Sequence, residues 1–124
     1  MNGCFMWVYS VSSGTLSRNE ERISGGYAGL GAHKNDSSFE CSKDSGPLPR
    51  GRYRIGQPFF HPRTKGYTMR LIPDSSNIMC DRDGFMIHGD SIRHPGQASN
   101  GCIIFPLKVR KHIWESNDHE LEVR

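Results

Sequence analysis

"HGDSIRHPGQASNGCII", His88 to Ile104, decides how this sequence is read. The apolar run Phe85–Ile87 leads into His88, and the run Ile103–Phe105 follows Cys102. Between them lies a polar loop containing Gly, Ser and Pro. Short apolar runs bounded by turn residues read as strands. His88 then stands at the exit of one strand and Cys102 at the entrance of the next, and antiparallel neighbours would bring those two ends together. The thiolate is the nucleophilic form of cysteine, and an imidazole within hydrogen-bond reach both takes the proton and stabilises the anion. Gly101 lets the backbone approach a substrate closely, so that amides around Cys102 face the oxygen of a tetrahedral intermediate. For Cys102 alone a core position is the simpler reading, because free cysteine is among the most buried residue types. The pairing of His-Gly after one apolar run with Ser-x-Gly-Cys before another favours a site.

Working outward, "FMWVYSV" (Phe5 to Val11) is aromatic and β-branched and runs into the turn residues "SSGT", as a strand entering a hairpin does. Residues 18–46 are dominated by Gly, Ser, Asn and charged residues and read as a long loop, with "GGYAGLGAH" folding back on the site. In "GPLPRGRYRIG" (Gly46 to Gly56), Tyr53 and Ile55 alternate with Arg52 and Arg54, as on a half-buried strand. "YTMRLIP", "GFMIHG" and "CIIF" add three short strands, and "ELEVR" closes the chain as a last one. Only "PLKVRKHIWES" (Pro106 to Ser116) has helical spacing, with Val109 and Ile113 four apart and Leu107 and Trp114 seven apart. The expectation is a mainly β fold, a sandwich or open barrel with one short helix, in a single domain over residues 1–124.

Composition narrows the classes. A formal net charge of +3 on 124 residues, with Arg and Lys scattered, is too weak an argument for nucleic acid. No stretch reaches the roughly 18 apolar residues that span a bilayer, and the N-terminus carries no readable export signal. The four cysteines, Cys4, Cys41, Cys80 and Cys102, match neither paired CxxC zinc spacing nor a dense disulfide scaffold. Cys41 and Cys80 either pair in an oxidising compartment or remain two reduced thiols.

The His88-Gly89 and Ser99-Asn100-Gly101-Cys102-Ile103 pair, with "GPLPRGRY" upstream, resembles the signature of the L,D-transpeptidase (YkuD-like) family. "HGD" at His88, "ASNGCII" at Ala98, "SSGTL" at Ser12 and "GYAG" at Gly26 are more similar still to its branch among type VI secretion effectors. The resemblance implies an L,D-transpeptidase-like fold, Cys102 as nucleophile and His88 as base, with no cofactor and no metal. It implies attack on peptidoglycan tetrapeptide stems after the L-centre of the diamino acid, through a thioester. Water then gives L,D-carboxypeptidase action, and an amine gives transpeptidation or exchange. It further implies delivery by secretion machinery to a target-cell periplasm and a cognate immunity protein in the producer. Asn100 departs from the family pattern where most members have a second histidine, and Ile104 where many have an arginine.

Other residues carry weaker expectations. Asp90 either orients His88 or forms an Asx-type turn, and Ser99 either touches the thiolate or shapes its turn. Gly89 belongs to the site loop, and His94 to a lid, where it is also a candidate substrate contact. Arg110 is either a cation for the stem carboxylate or an exposed helix charge. Tyr53 is a packing residue with a second candidacy at the substrate. Three competing functions stand beside this one: a papain-like cysteine hydrolase or amidase, a zinc module built from Cys80, His88, His94 and Cys102, and a cell-wall-binding domain without turnover.

Overall fold

The hairpin read from the first aromatic run is present: β1 (Trp7–Ser10) and β2 (Thr15–Arg18) pair antiparallel and bury Trp7, Tyr9 and Leu16 on one side. The computed structural model describes residues 6–124, so Cys4 and Phe5 lie outside the described residues. Residues 18–46 are not the loop that their composition suggests. They hold β3 (Glu21–Gly25), β4 (Tyr27–Ala28) and two single 3-10 turns, Gly31–His33 and Ser37–Phe39. β3 is polar because it is an edge strand with exposed Glu21 and Arg22, so backbone pairing to β2 rather than an apolar face makes it a strand.

The rest of the order is β5 (Gly51–Ile55), β6 (Phe59–His61), β7 (Lys65–Pro73), β8 (Met86–His88), β9 (Ile103–Ile104), α1 (Leu107–Glu115) and β10 (Glu120–Val123). The strands run β3-β2-β1-β10-β5-β7-β8-β9-β4, with β6 paired to β7 beside that path. β10, last in the chain, inserts between β1 and β5, parallel to the first and antiparallel to the second. β7 links the two halves of the sheet: Leu71–Pro73 pair with β5, and Met69 and Arg70 pair with β8. β3 and β4 are unjoined ends, so the fold is mainly β, with an open sheet and one helix, as expected.

Alternation places Tyr53, Ile55, Leu121 and Val123 inward, while Arg52 and Arg54 face solvent. β8 and β9 are buried on both faces, Met86, Ile87 and His88 in one and Ile103 and Ile104 in the other. Strands covered on both sides read as continuous apolar runs, which is why "FMI" and "CIIF" show no alternation. The helix lies where its spacing predicts. Ile113 and Val109 pack on the core, but Leu107 is 47% exposed and does not join that face. Among the described residues no helix is long and apolar enough to cross a membrane.

Candidate active site

β8 and β9 are parallel, not antiparallel, with Ile87 opposite Ile103 and His88 opposite Ile104. The loop of residues 89–102 is therefore a crossover rather than a hairpin turn, and its length is what a parallel connection requires. The register still assembles the site. Cys102 immediately precedes β9, two residues before Ile104, the pairing partner of His88, so the two residues lie on neighbouring segments of chain. Both line one cavity of about 510 Å3.

His88 is 4% exposed, and its Nδ1 lies 2.8 Å from the Gly89 carbonyl oxygen. A carbonyl only accepts, so Nδ1 carries the proton and the neutral ring keeps its lone pair at Nε2. Burial holds the imidazole below its ordinary pKa, with Arg110 and Arg63 adding to that, against the Gly89 carbonyl. At neutral pH His88 is thus an uncharged base. Asp90 does not orient it. Burial pushes the Asp90 carboxyl up, but hydrogen bonds from the Tyr27 hydroxyl and the Gly96 and Ser91 amides outweigh that and hold it below the ordinary range. Asp90 closes the Asx-type turn and anchors the loop to β4, and Tyr27 Oη in turn accepts the Ala98 amide at 2.9 Å.

Cys102 is half-buried and is the free cysteine of the described residues. Burial pushes its thiol pKa up, opposed by backbone hydrogen bonds from Met86 and its own amide and by the charges of Arg63 and Arg82. At rest a thiol and a neutral imidazole line the same cavity. The charges that favour the thiolate come from two arginines that sequence reasoning missed, not from an imidazolium.

Ser99, fully buried, shapes the turn: its Oγ accepts the amides of Gly29 (2.8 Å) and Gly101 (3.0 Å) and donates to the Cys102 carbonyl (2.6 Å). Its hydroxyl is committed to these three backbone groups, and the turn-shaping role, rather than a thiolate contact, is the one that the structure shows. The Gly101 amide is committed to Ser99, which leaves the Cys102 amide beside the site. At φ +141°, Gly101 brings the chain so close to Phe85, Arg82 and the Gly46 carbonyl that a Cβ would lie 2.7–3.0 Å from them.

Arg82 is 8% exposed and organises the opposite wall. Its guanidinium donates to the carbonyls of Glu40 (2.5 Å), Pro47 (2.9 Å), Gly46 (2.9 Å) and Asn100 (3.1 Å) and lies over the Phe85 ring. The Cys41–Cys80 disulfide joins the same two segments one residue and two residues away, with Cα atoms 5.3 Å apart. Cys80 is therefore unavailable to the zinc alternative. Among the described residues no group of three His, Cys, Asp or Glu side chains is placed to hold a metal ion. In hindsight an Arg flanked by two Asp beside a Cys was a signal, but nothing in sequence tells a buried clamp from a surface charge.

Two expected substrate contacts are not at the cavity. Arg110 is buried, with Nε on the Phe105 carbonyl and Nη1 on those of Gly66 and Tyr67, and its guanidinium fills the space above Gly89. It supports the His88–Gly89 turn instead of meeting a carboxylate. Tyr53 is a core residue whose hydroxyl donates to the Pro49 carbonyl at 2.6 Å. His94 and Gly89 do line the cavity, and Asn100, exposed, borders it beside Cys102.

Comparison with known proteins fits this geometry. Three solved structures share the fold. The L,D-transpeptidase (Yku) from Stackebrandtia nassauensis superposes with a TM-score of 0.61 at 15% identity, covering 100% of this chain and 57% of that one. L,D-transpeptidase 1 of Mycobacterium tuberculosis gives 0.55 at 16% identity, covering 97% and 61%. The L,D-transpeptidase from Mycobacterium smegmatis gives 0.56 at 14%, covering 98% and 58%. This chain thus spans about three fifths of their lengths. No curated protein sequence matches significantly. The model of the Tlde1 domain matches residues 22–123, from β3 to the last strand and including both His88 and Cys102. By that match the chain belongs to the Tlde1 domain family of type VI secretion effectors and is built on the L,D-transpeptidase fold.

Proposed function

We propose that this domain is a cysteine-dependent peptidoglycan-modifying enzyme acting on tetrapeptide stems, with Cys102 as nucleophile and His88 as base. One observation carries the reading: a half-buried thiol just before β9 and an imidazole at the end of β8, its parallel neighbour, line the same cavity. As the Cys102 sulfur attacks the carbonyl after the L-centre of the diamino acid, its proton passes to His88 Nε2. In this reading the Cys102 amide and Asn100, which lines the cavity with it, meet the developing oxyanion. The C–N bond then breaks, the imidazolium returns its proton to the departing D-alanine amine, and a thioester remains. Water, deprotonated by the same nitrogen, attacks that thioester and regenerates the thiol, giving L,D-carboxypeptidase action. A D-amino acid attacking instead gives exchange.

Cys102 precedes a strand and follows the histidine in sequence, which argues against a papain-like hydrolase with its cysteine at a helix N-terminus. Membership of an effector family supports delivery to a target-cell periplasm and a protective immunity protein in the producer. Incubation with purified tetrapeptide muropeptides followed by mass spectrometry tests the activity. Loss of one D-alanine by wild type and not by Cys102→Ala is expected. Unchanged stems with the wild type would leave a binding domain as the better reading.

A further inference from the structure

Three arginines approach the site, and their situations differ. Arg82 and Arg110 are buried and bound to backbone carbonyls. Arg63 is exposed, and its guanidinium has no partner among the described residues, only its backbone amide bonding to His61 Nδ1. It stands at the tip of the β6–β7 hairpin, which is tightly held. His61 Nδ1 accepts the amides of both Arg63 (3.0 Å) and Thr64 (3.3 Å), and the Thr64 and Thr68 hydroxyls bond at 2.7 Å. A fixed tip therefore carries a free cation.

That cation is also centrally placed. A second cavity, of about 290 Å3, lies on the far side of Cys102, and Arg63, Asn100 and Cys102 are the residues that line both cavities. The two sides differ in charge. The smaller is bordered by Asp44, Asp81 and Asp83 and, against them, by Lys43, Arg63 and Arg82, whereas the larger, on the His88 side, has Arg63, Lys65 and Arg93 against Asp90 alone. Asp90 is already engaged by Tyr27 and by loop amides. Charge is balanced on the first side and in cationic excess on the second, so a carboxylate is drawn to the second. Arg63 is also close enough to act electrostatically on both Cys102 and His88.

We infer that Arg63 is the specificity residue of this site, binding the free α-carboxylate of the amino acid on the leaving side of the scissile bond, over the cavity that holds His88. The inference rests on the proposed reaction for the identity of that amino acid, but not for the presence of a carboxylate site. A guanidinium offers two parallel N–H donors to a carboxylate, which fixes orientation as well as position. The leaving and the incoming D-amino acid carry the same carboxylate, so one guanidinium serves hydrolysis and exchange alike. A stem whose scissile bond is not followed by a terminal carboxylate is discriminated against.

The test uses the full chain with Cys4 replaced by serine, so that alkylation reports on Cys102. Its rate is measured with iodoacetate, which carries a carboxylate, and with neutral iodoacetamide. An accessible charge near the sulfur changes the iodoacetate-to-iodoacetamide ratio by on the order of 5-fold at low salt. Arg63→Gln is expected to lower the ratio by that amount and to remove its dependence on salt, while Arg63→Lys keeps most of it. A tetrapeptide and its C-terminal amide are then compared, with wild type preferring the acid through KM and Arg63→Gln losing that preference. An unchanged ratio in Arg63→Gln overturns the inference, whatever the peptides do. A lowered ratio in a protein that trims neither peptide upholds the carboxylate site and removes the proposed reaction.

Discussion

Arg82→Met tests whether the wall behind Cys102 depends on one buried guanidinium. The substitution keeps most of the side-chain length and removes donors from four carbonyls. Those of Glu40 and Asn100 lie near the surface and can turn to water, whereas those of Gly46 and Pro47 are buried. Losing charged donors to two buried acceptors costs about 3–5 kcal/mol. Desolvation of Arg82, which burial pushes below its ordinary pKa, offsets part of this. We take about 3 kcal/mol as the net loss, equivalent to a Tm lower by about 12 °C for a domain of this size. Urea unfolding measures the first quantity, and alkylation mapped to Cys102 measures the second consequence. Asn100 loses its tether, and the thiol loses one of the charges that favour its ionised form, so the pH midpoint of alkylation moves up. Arg82→Lys, able to reach fewer carbonyls, falls between. A Met variant within about 0.5 kcal/mol of wild type, with an unmoved alkylation profile, would refute the clamp.

Ser99→Ala strands two buried amides and a carbonyl and should destabilise by about 2–3 kcal/mol in urea, with a larger loss of turnover than Ser99→Thr. Replacing Cys41 and Cys80 together by serine opens a link across a sequence separation of 39 and should lower stability by about 4 kcal/mol by chain entropy, read from the urea midpoint of oxidised protein. Because burial holds His88 below its ordinary pKa, the unfolded chain binds that proton more tightly. Its contribution is whole above about pH 6.5 and is lost as the pH falls from there. The urea midpoint should therefore drop between pH 7 and pH 5, and drop less in His88→Asn.

How much was legible follows the range of the interactions. The fold class came from local signals: alternation in Gly51–Ile55, turn residues around short apolar runs, and helical spacing around Val109 and Ile113. Polar β3 was hidden because an edge strand gets its pairing from a neighbour and needs no apolar face. That His88 and Cys102 line one cavity was readable, but the direction of their strands was not, since apolar runs buried on both faces carry no direction. Arg82, Arg63 and Arg110 show the limit most clearly. All three are arginines in polar stretches, and only three-dimensional packing makes two of them backbone clamps and leaves the third open. The carboxylate role expected for Arg110 fails for that reason, as does the orienting role of Asp90, whose oxygens meet Tyr27 from a strand far away in sequence.

The central claim is a covalent bond at one sulfur. Intact-mass measurement after acid quenching of wild type with excess tetrapeptide should reveal a hydroxylamine-labile adduct equal to the stem less its terminal alanine, mapped to Cys102 and much reduced in His88→Ala. A quenched protein of unaltered mass while stems are being trimmed, or an adduct on any other residue, would contradict it.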